Sequence, residues 1–282
     1  MSLFFLFNSA TFLENNIETS AEDFKYKINP FVRYNFKELR DTVYTMKDHF
    51  IEVNLTTQQA VLYSRDGSKF EFPVSSGNKN IEEGIETREG LFVIKSKAKK
   101  LYSVQFDSTV MLYWMGFNAG IGFHALLGKN YYKYLGKKNV SHGCIRVSRE
   151  DADFVYKQIE NGTPVLVHKG NNAVKIAFGR LGEVYKYFSY SELYRLLPKR
   201  YQLVYDGYYL ISSIGKILID EENVSHNGLP IGNSKLIPVK QKMRPSTLWI
   251  DATTPEEKRL NEIFSGRETY TLAYNPYLDA KN

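Results

Sequence analysis

From His49 onward, apolar and polar positions alternate with a period of two, the pattern of half-buried strands. Ile51, Val53 and Leu55 share one face of the first strand, and Ala60-Val61-Leu62-Tyr63 forms the next after the polar stretch 56–59. The Asp66-Gly67 pair predicts a hairpin turn, after which Phe70, Phe72 and Val74 resume the alternation. A loop rich in Gly and Glu (77–90) leads to the short buried pattern Leu91-Phe92-Val93-Ile94, and further strands are predicted at 101–106 and 110–115.

Beyond residue 144 the period lengthens. Ser148 followed by Asp151 reads as a helix cap, Val155 and Ile159 stand four apart, and Asn161-Gly162-Thr163-Pro164 ends the helix before a last strand at 165–167. Upstream, Asn35 and Glu38 resemble a capping box, and Phe36, Leu39, Val43 and Met46 recur at helical spacing. The chain thus divides into an N-terminal arm with one helix (1–47), a β-rich domain (48–169) and a separate C-terminal block (170–282) with turn signals such as His226-Asn227-Gly228. The expected class is α+β, mostly β.

Composition narrows the options. With 43% hydrophobic and 24% charged residues over 282 positions, the chain can bury a core, which excludes wholesale disorder. Its net charge is +6, but basic residues alternate with acidic ones along most of the chain, unlike the one-sided charge of a nucleic-acid binder. The dense run Lys95-Ser96-Lys97-Ala98-Lys99-Lys100 is open to two readings: a solvated hairpin end, or a landing strip for an anionic cell-wall polymer. No apolar run is long enough to span a bilayer, and the apolar start Met1–Phe7 is short, with no basic residue before it.

Chemistry concentrates between residues 113 and 147. Cys144 is the sole cysteine, and His124 and His142 precede it within Ser141-His142-Gly143-Cys144-Ile145-Arg146 and the strand before. An isolated thiol is more often a small buried hydrophobe. A nucleophilic one needs a base or cation beside it, which either His or Arg146 could supply. Gly143 would allow a tight turn, and the amides of residues 142–144 could face an oxyanion. Ser-x-x-Lys occurs at Ser76, Ser96 and Ser213 without a Lys-Thr-Gly, so it carries little. No zinc or dinucleotide motif is present.

Ser141-His142-Gly143-Cys144-Ile145-Arg146, with a His at this upstream spacing, resembles the signature of the L,D-transpeptidase catalytic domain (the YkuD type). Residues 50–63, with Gln59 in the turn, resemble that family's opening hairpin. Val74-Ser75-Ser76-Gly77, Thr87–Ile94, Met111–Phe123 and Gly162–Val165 match it in order over roughly 48–169.

The resemblance implies a β-sandwich-like fold and peptidoglycan chemistry. Cys144 would attack the L-centre carbonyl of meso-diaminopimelate in a tetrapeptide stem, release D-alanine, and pass the acyl group to an amine. His124 would be the base, oriented by the Ala125 carbonyl, with His142 as the alternative. The amides of His142, Gly143 and Cys144 would form the oxyanion hole, within the loop begun by Ser141. Arg146 would order that loop or hold a substrate carboxylate. Tyr113, Trp114, Met115, Phe117, Phe123 and Ala125 would line the donor groove, which Ala125 (Gly in the family) would narrow. No metal or organic cofactor is implied. Stem peptides are the implied partners, with an envelope lipoprotein as a possible acceptor or substrate, in a periplasmic or extracytoplasmic setting. Water as acceptor would make the protein an L,D-carboxypeptidase, peptidase or amidase. A relic wall-binding module is the alternative from another class.

Overall fold

The computed structural model describes residues 40–104, 108–206 and 215–238. Eight strands and a helix lie in the central segment: β2 (His49–Asn54), β3 (Gln59–Ser64), β4 (Lys69–Ser75), β5 (Gly90–Val93), β6 (Ser96–Tyr102), β7 (Val110–Asn118), β8 (Ile121–Leu126), β9 (Ile145–Val147) and α1 (Arg149–Gln158). β10 (Pro164–His168) completes a nine-stranded sheet of order β5-β10-β2-β3-β4-β9-β8-β7-β6.

The sheet's terminal strands, β5 and β6, are neighbours in sequence, so the sheet must curl to bring its ends together. The Lys95 amide donates to the Gly116 carbonyl (2.7 Å), and the Phe92 and Phe117 rings lie 5.3 Å apart. The enclosed core takes the inward residues of both halves, among them Ile51, Val53, Phe72, Phe92, Met115, Phe117, Phe123, Ile145 and Val165, with Ala152 and Val155 of α1. The expected alternation along β2 to β4 is the inward–outward period of these strands. α1 begins as expected: the Ser148 hydroxyl accepts from the Asp151 amide (3.0 Å).

Two expectations fail at the flanks. Residues 41–45 are not helical: β1 (Asp41–Thr45) is a strand, while Asn35, Phe36, Glu38 and Leu39 lie outside the described residues. Asp41, Val43 and Thr45 are buried and Thr42 and Tyr44 half-buried, a period of two that the β-prone Thr-Val-Tyr-Thr composition supports. The segment after residue 170 is not a separate block either. β11 (Val174–Phe178) and β12 (Ile217–Leu218) flank β1 in a parallel three-stranded sheet, covered by α2 (Tyr190–Tyr205). Leu229 also bridges to Leu91 of β5 (Leu91 N to Leu229 O 2.9 Å, Leu229 N to Leu91 O 2.8 Å).

The lysine run begins just before β6 and continues along it, at one end of the sheet, and two of its cations are already engaged. Lys95 Nζ donates to the Glu221 carbonyl, and Lys97 Nζ to Tyr156 O (2.7 Å) and Ile159 O at the end of α1. Lys99 and Lys100 are left exposed to solvent.

Candidate active site

β8 and β9 run parallel, with Phe123 level with Ile145 and His124 level with Arg146. Cross-strand partners point to the same face of a sheet, and successive residues to opposite faces. Phe123, Ala125, Ile145 and Val147 therefore fill the core, each at 0% exposure. His124, Arg146 and, two residues before Arg146, Cys144 fall on the other face.

The loop carrying Cys144 is held from below by a second segment. Ser141 N donates to Ser76 O (3.1 Å), Asn78 N to Ser141 O (2.8 Å) and Ile85 N to His142 O (3.2 Å). Buried Thr87 links both sides: its hydroxyl donates to Gly143 O (2.6 Å) and accepts from Gly77 N (2.8 Å). A Cβ on Gly77 would sit 2.7 Å from the Gly143 Cα, so neither strand of this contact tolerates a side chain at that point. Gly143 itself has φ +146°, a conformation that L side chains rarely adopt.

Within the loop, the Ser141 hydroxyl donates to the Cys144 carbonyl and accepts from the Gly143 amide (3.1 Å). That changes one expectation: the Gly143 N–H is already used inside the loop, where it donates to the Ser141 hydroxyl. Ser141 thereby gains a definite part, fixing the turn that presents the thiol.

His124 is almost fully buried, and its Nδ1 lies 3.2 Å from the Ala125 carbonyl. A carbonyl only accepts, so Nδ1 carries the proton and Nε2 is left as an acceptor. Burial pulls the imidazole down to about 4, outweighing the Ala125 bond, which works in the opposite direction; the Arg146 charge lowers it further. Trp114 contributes to this burial, its ring 6.1 Å from the imidazole and its Nε1 donating to Ser96 Oγ (3.1 Å). Burial pushes the Cys144 thiol above its ordinary value, against a Gly122 backbone bond and Arg146, which both favour the thiolate. Its Sγ lies 3.8 Å from the Gly120 carbonyl. Burial thus favours the neutral form of each group.

The expected groove walls are elsewhere. Met115, Phe117, Phe123 and Ala125 belong to the core, because they occupy the inward positions of β7 and β8. The Ala125 methyl is buried there and narrows nothing. Trp114 is 6% exposed and packs behind His124. Tyr113, at an irregularity of β7 with φ +54°, lays its ring against Tyr156 of α1 (5.8 Å). Gln59 is exposed, and it is Gln58 that is buried, exchanging bonds with Ser76 (Nε2 to Oγ 2.8 Å, Ser76 N to Oε1 2.8 Å).

A cleft of about 360 Å³ opens on the Arg146 side, lined by Leu126, Gly128, Asn130, Tyr131, Lys133, Tyr134 and Arg146. Of these the sequence pattern singled out Arg146 alone. The loop 127–140 carries no strand or helix periodicity, and its Tyr-Tyr-Lys-Tyr run was the available signal. Tyr131 braces the cleft by donating to Val147 O (2.7 Å) and accepting from Leu126 N (3.2 Å).

Comparison with known proteins gives three findings. Residues 48–167 match the family model described as the L,D-transpeptidase catalytic domain, so the resemblance read from the sequence stands over that span. A 35-residue stretch is 54% identical to a probable L,D-transpeptidase 3 of Mycobacterium tuberculosis, covering 12% of this chain and 13% of that protein. The fold is similar to that of an L,D-transpeptidase from M. tuberculosis (24% identity, TM-score 0.38, 43% of this chain and 57% of that one). It is also similar to one from Stackebrandtia nassauensis (22% identity, TM-score 0.38, 48% and 61%). The chain thus spans less than two thirds of each of these relatives.

Proposed function

We propose that residues 48–167, which match the L,D-transpeptidase catalytic domain, act as a cysteine acyltransferase on peptidoglycan tetrapeptide stems. The observation that carries this reading is the register of β8 on β9, which sets His124, Arg146 and the Cys144 loop on one face, with the Nε2 of His124 unprotonated. Cys144 Sγ bonds to the diaminopimelate L-centre carbonyl carbon while the thiol proton passes to His124 Nε2. The negative oxygen that forms is met by backbone amides of the Cys144 turn. Collapse breaks the bond to D-alanine, whose amine leaves with the proton from His124, and a thioester remains. An acceptor amine then attacks the thioester carbonyl, its proton passing through His124, and Cys144 is released.

The acceptor is a second stem or a protein amine. Water in its place would give an L,D-carboxypeptidase with the same residues. Such a substrate places the protein outside the cytoplasm. Mass spectrometry of purified disaccharide-tetrapeptide incubated with the protein, with Cys144→Ala alongside, tests the reading. A Cys144-dependent dimer lacking one D-alanine is the expected product. Tripeptide alone would make water the acceptor, and no change with either protein would point to cleavage of existing cross-links or tethered lipoprotein, and then to a wall-binding module.

A further inference from the structure

Ser96 stands inside the lysine run, and the two lysines beside it are occupied elsewhere, Lys95 with Glu221 O and Lys97 with the end of α1. Across the β6–β7 pair, Ser96 is level with Gly116 and Ala98 with Trp114. The Trp114 Nε1–H nevertheless donates to Ser96 Oγ (3.1 Å), so the indole leans along the strand and lies over Gly116. Only the missing side chain at Gly116 allows this. A Cβ there would come within 2.7 Å of Ser96 Oγ and 2.8 Å of Trp114 Nε1.

The same indole stands beside His124, the ring centroids 6.1 Å apart and the planes inclined by 35°. Trp114 and His124 are 6% and 5% exposed, whereas Ser96 is at the surface. In the sheet order β8-β7-β6, Trp114 therefore separates the imidazole from the solvent beyond β6. The bond from Nδ1 to Ala125 O fixes the tautomer, but the rest of the ring is placed by what packs against it. Arg146, level with His124 on β9, is the charged group that bears on the ring, and the Cys144 loop leads into that strand.

Resting on the acyl-transfer reading above, we propose that Ser96 is a positioning residue: its hydroxyl latches the Trp114 indole across Gly116, and the latched indole keeps water from His124 and the imidazole in its place. With the latch broken, the indole regains its freedom and the ring rehydrates. Its proton affinity then climbs from about 4 back toward the ordinary 6.5.

The test follows the His124 Cε1–H signal of the full chain by NMR against pH, the signal being assigned by its loss in His124→Gln. Ser96→Ala removes the acceptor, Trp114→Phe removes the donor, and Ser96→Thr keeps the hydroxyl. The titration midpoint should rise by about one pH unit in the first two, as for a buried group regaining water, and stay at the wild-type value in Ser96→Thr. Ser96→Ala added to Trp114→Phe should shift it no further, because both remove one contact. With disaccharide-tetrapeptide as substrate, the acid limb of D-alanine release should move with the titration. At pH 7, kcat should fall by about tenfold in Ser96→Ala with KM held, as for a base no longer held in position. An unmoved midpoint in Ser96→Ala overturns the proposal, as do additive shifts in the double variant. An equal rise in Ser96→Thr overturns it too, since β6 itself and not the hydroxyl would then be felt. A wild-type chain that forms no Cys144 thioester takes down the acyl-transfer reading instead, while the titrations, read without substrate, still decide the latch.

Discussion

Arg200 on α2 grips Asp41 on β1 through two bonds, Nε to Oδ2 at 2.6 Å and Nη2 to Oδ1 at 2.5 Å, with both side chains nearly out of water. Arg200 also donates through Nη1 to Gly215 O (3.3 Å), so one guanidinium ties together three stretches distant in sequence. A buried pair that loses one member leaves a charge without a partner. Arg200→Leu should therefore cost about 3–5 kcal/mol. The double variant Asp41→Leu/Arg200→Leu should regain most of it. Urea midpoints of the three proteins decide the matter, and an unshifted midpoint for Arg200→Leu would mean the pair does not hold the small sheet.

The segment beneath the Cys144 loop should matter as much as the loop. Thr87→Val keeps the shape but strips partners from Gly77 N and Gly143 O, each costing about 1–3 kcal/mol when buried. Thr87→Ser should restore both stability and turnover. Gly143→Ala sets a methyl within 2.8 Å of Ile85 Cγ1 and Ile121 Cδ1 at φ +146°. It should lower thioester formation by about 10²-fold, as expected for a displaced nucleophile. Thermal unfolding and acylation rate measured together separate this effect from loss of fold.

His124 makes the protein acid-sensitive. Its folded value, about 4, lies below the ordinary 6.5, so between these pH values the unfolded chain takes up a proton that the folded chain refuses. Stability should be intact above about 6.5 and fall as pH drops through this window, by about 3 kcal/mol in all. His124→Gln should remove that share of the acid loss, visible as a smaller difference between urea midpoints at pH 7 and pH 4. For the same reason turnover should hold from pH 7 to 5, because the imidazole remains a base. An activity loss centred near pH 6.5 would mean that His124 is not the base.

Cys144 should alkylate slowly. With its thiol raised by burial, iodoacetamide should react at neutral pH more slowly than with a free peptide thiol, and the rate should climb above pH 9. Fast labelling at pH 7 would show instead that a thiolate–imidazolium pair exists at rest.

The candidate site residues stood out because they sit in one short contiguous signature, Ser141 to Arg146, and the upstream His124 lies in register with Arg146 on the neighbouring strand. β2, β3, β4 and α1 were legible from local period and capping. β1 was misread because Phe36, Leu39, Val43 and Met46 fit a helical period, while pairing with β11 and β12 decided otherwise at 41–45. α2 escaped notice although Ser189 and Glu192 form a capping box, since Tyr-rich sequence favours strands by propensity. The groove residues failed for a different reason. Periodicity separates the two faces of β7 and β8, but the sequence does not state which face meets the core, and the irregularity at Tyr113 interrupts the alternation within β7.

β10 lies between β2 and β5 and is the only strand joining them, yet it follows every other strand of its sheet in the chain. Until residues 164–168 leave the ribosome, β2 and β5 each present an unpaired edge, and the curled sheet has no closing member. Folding of this domain is therefore a late and non-local event, slow by topology, in which the last strand made is the one slipped between the sheet's first-made strand and the edge strand β5.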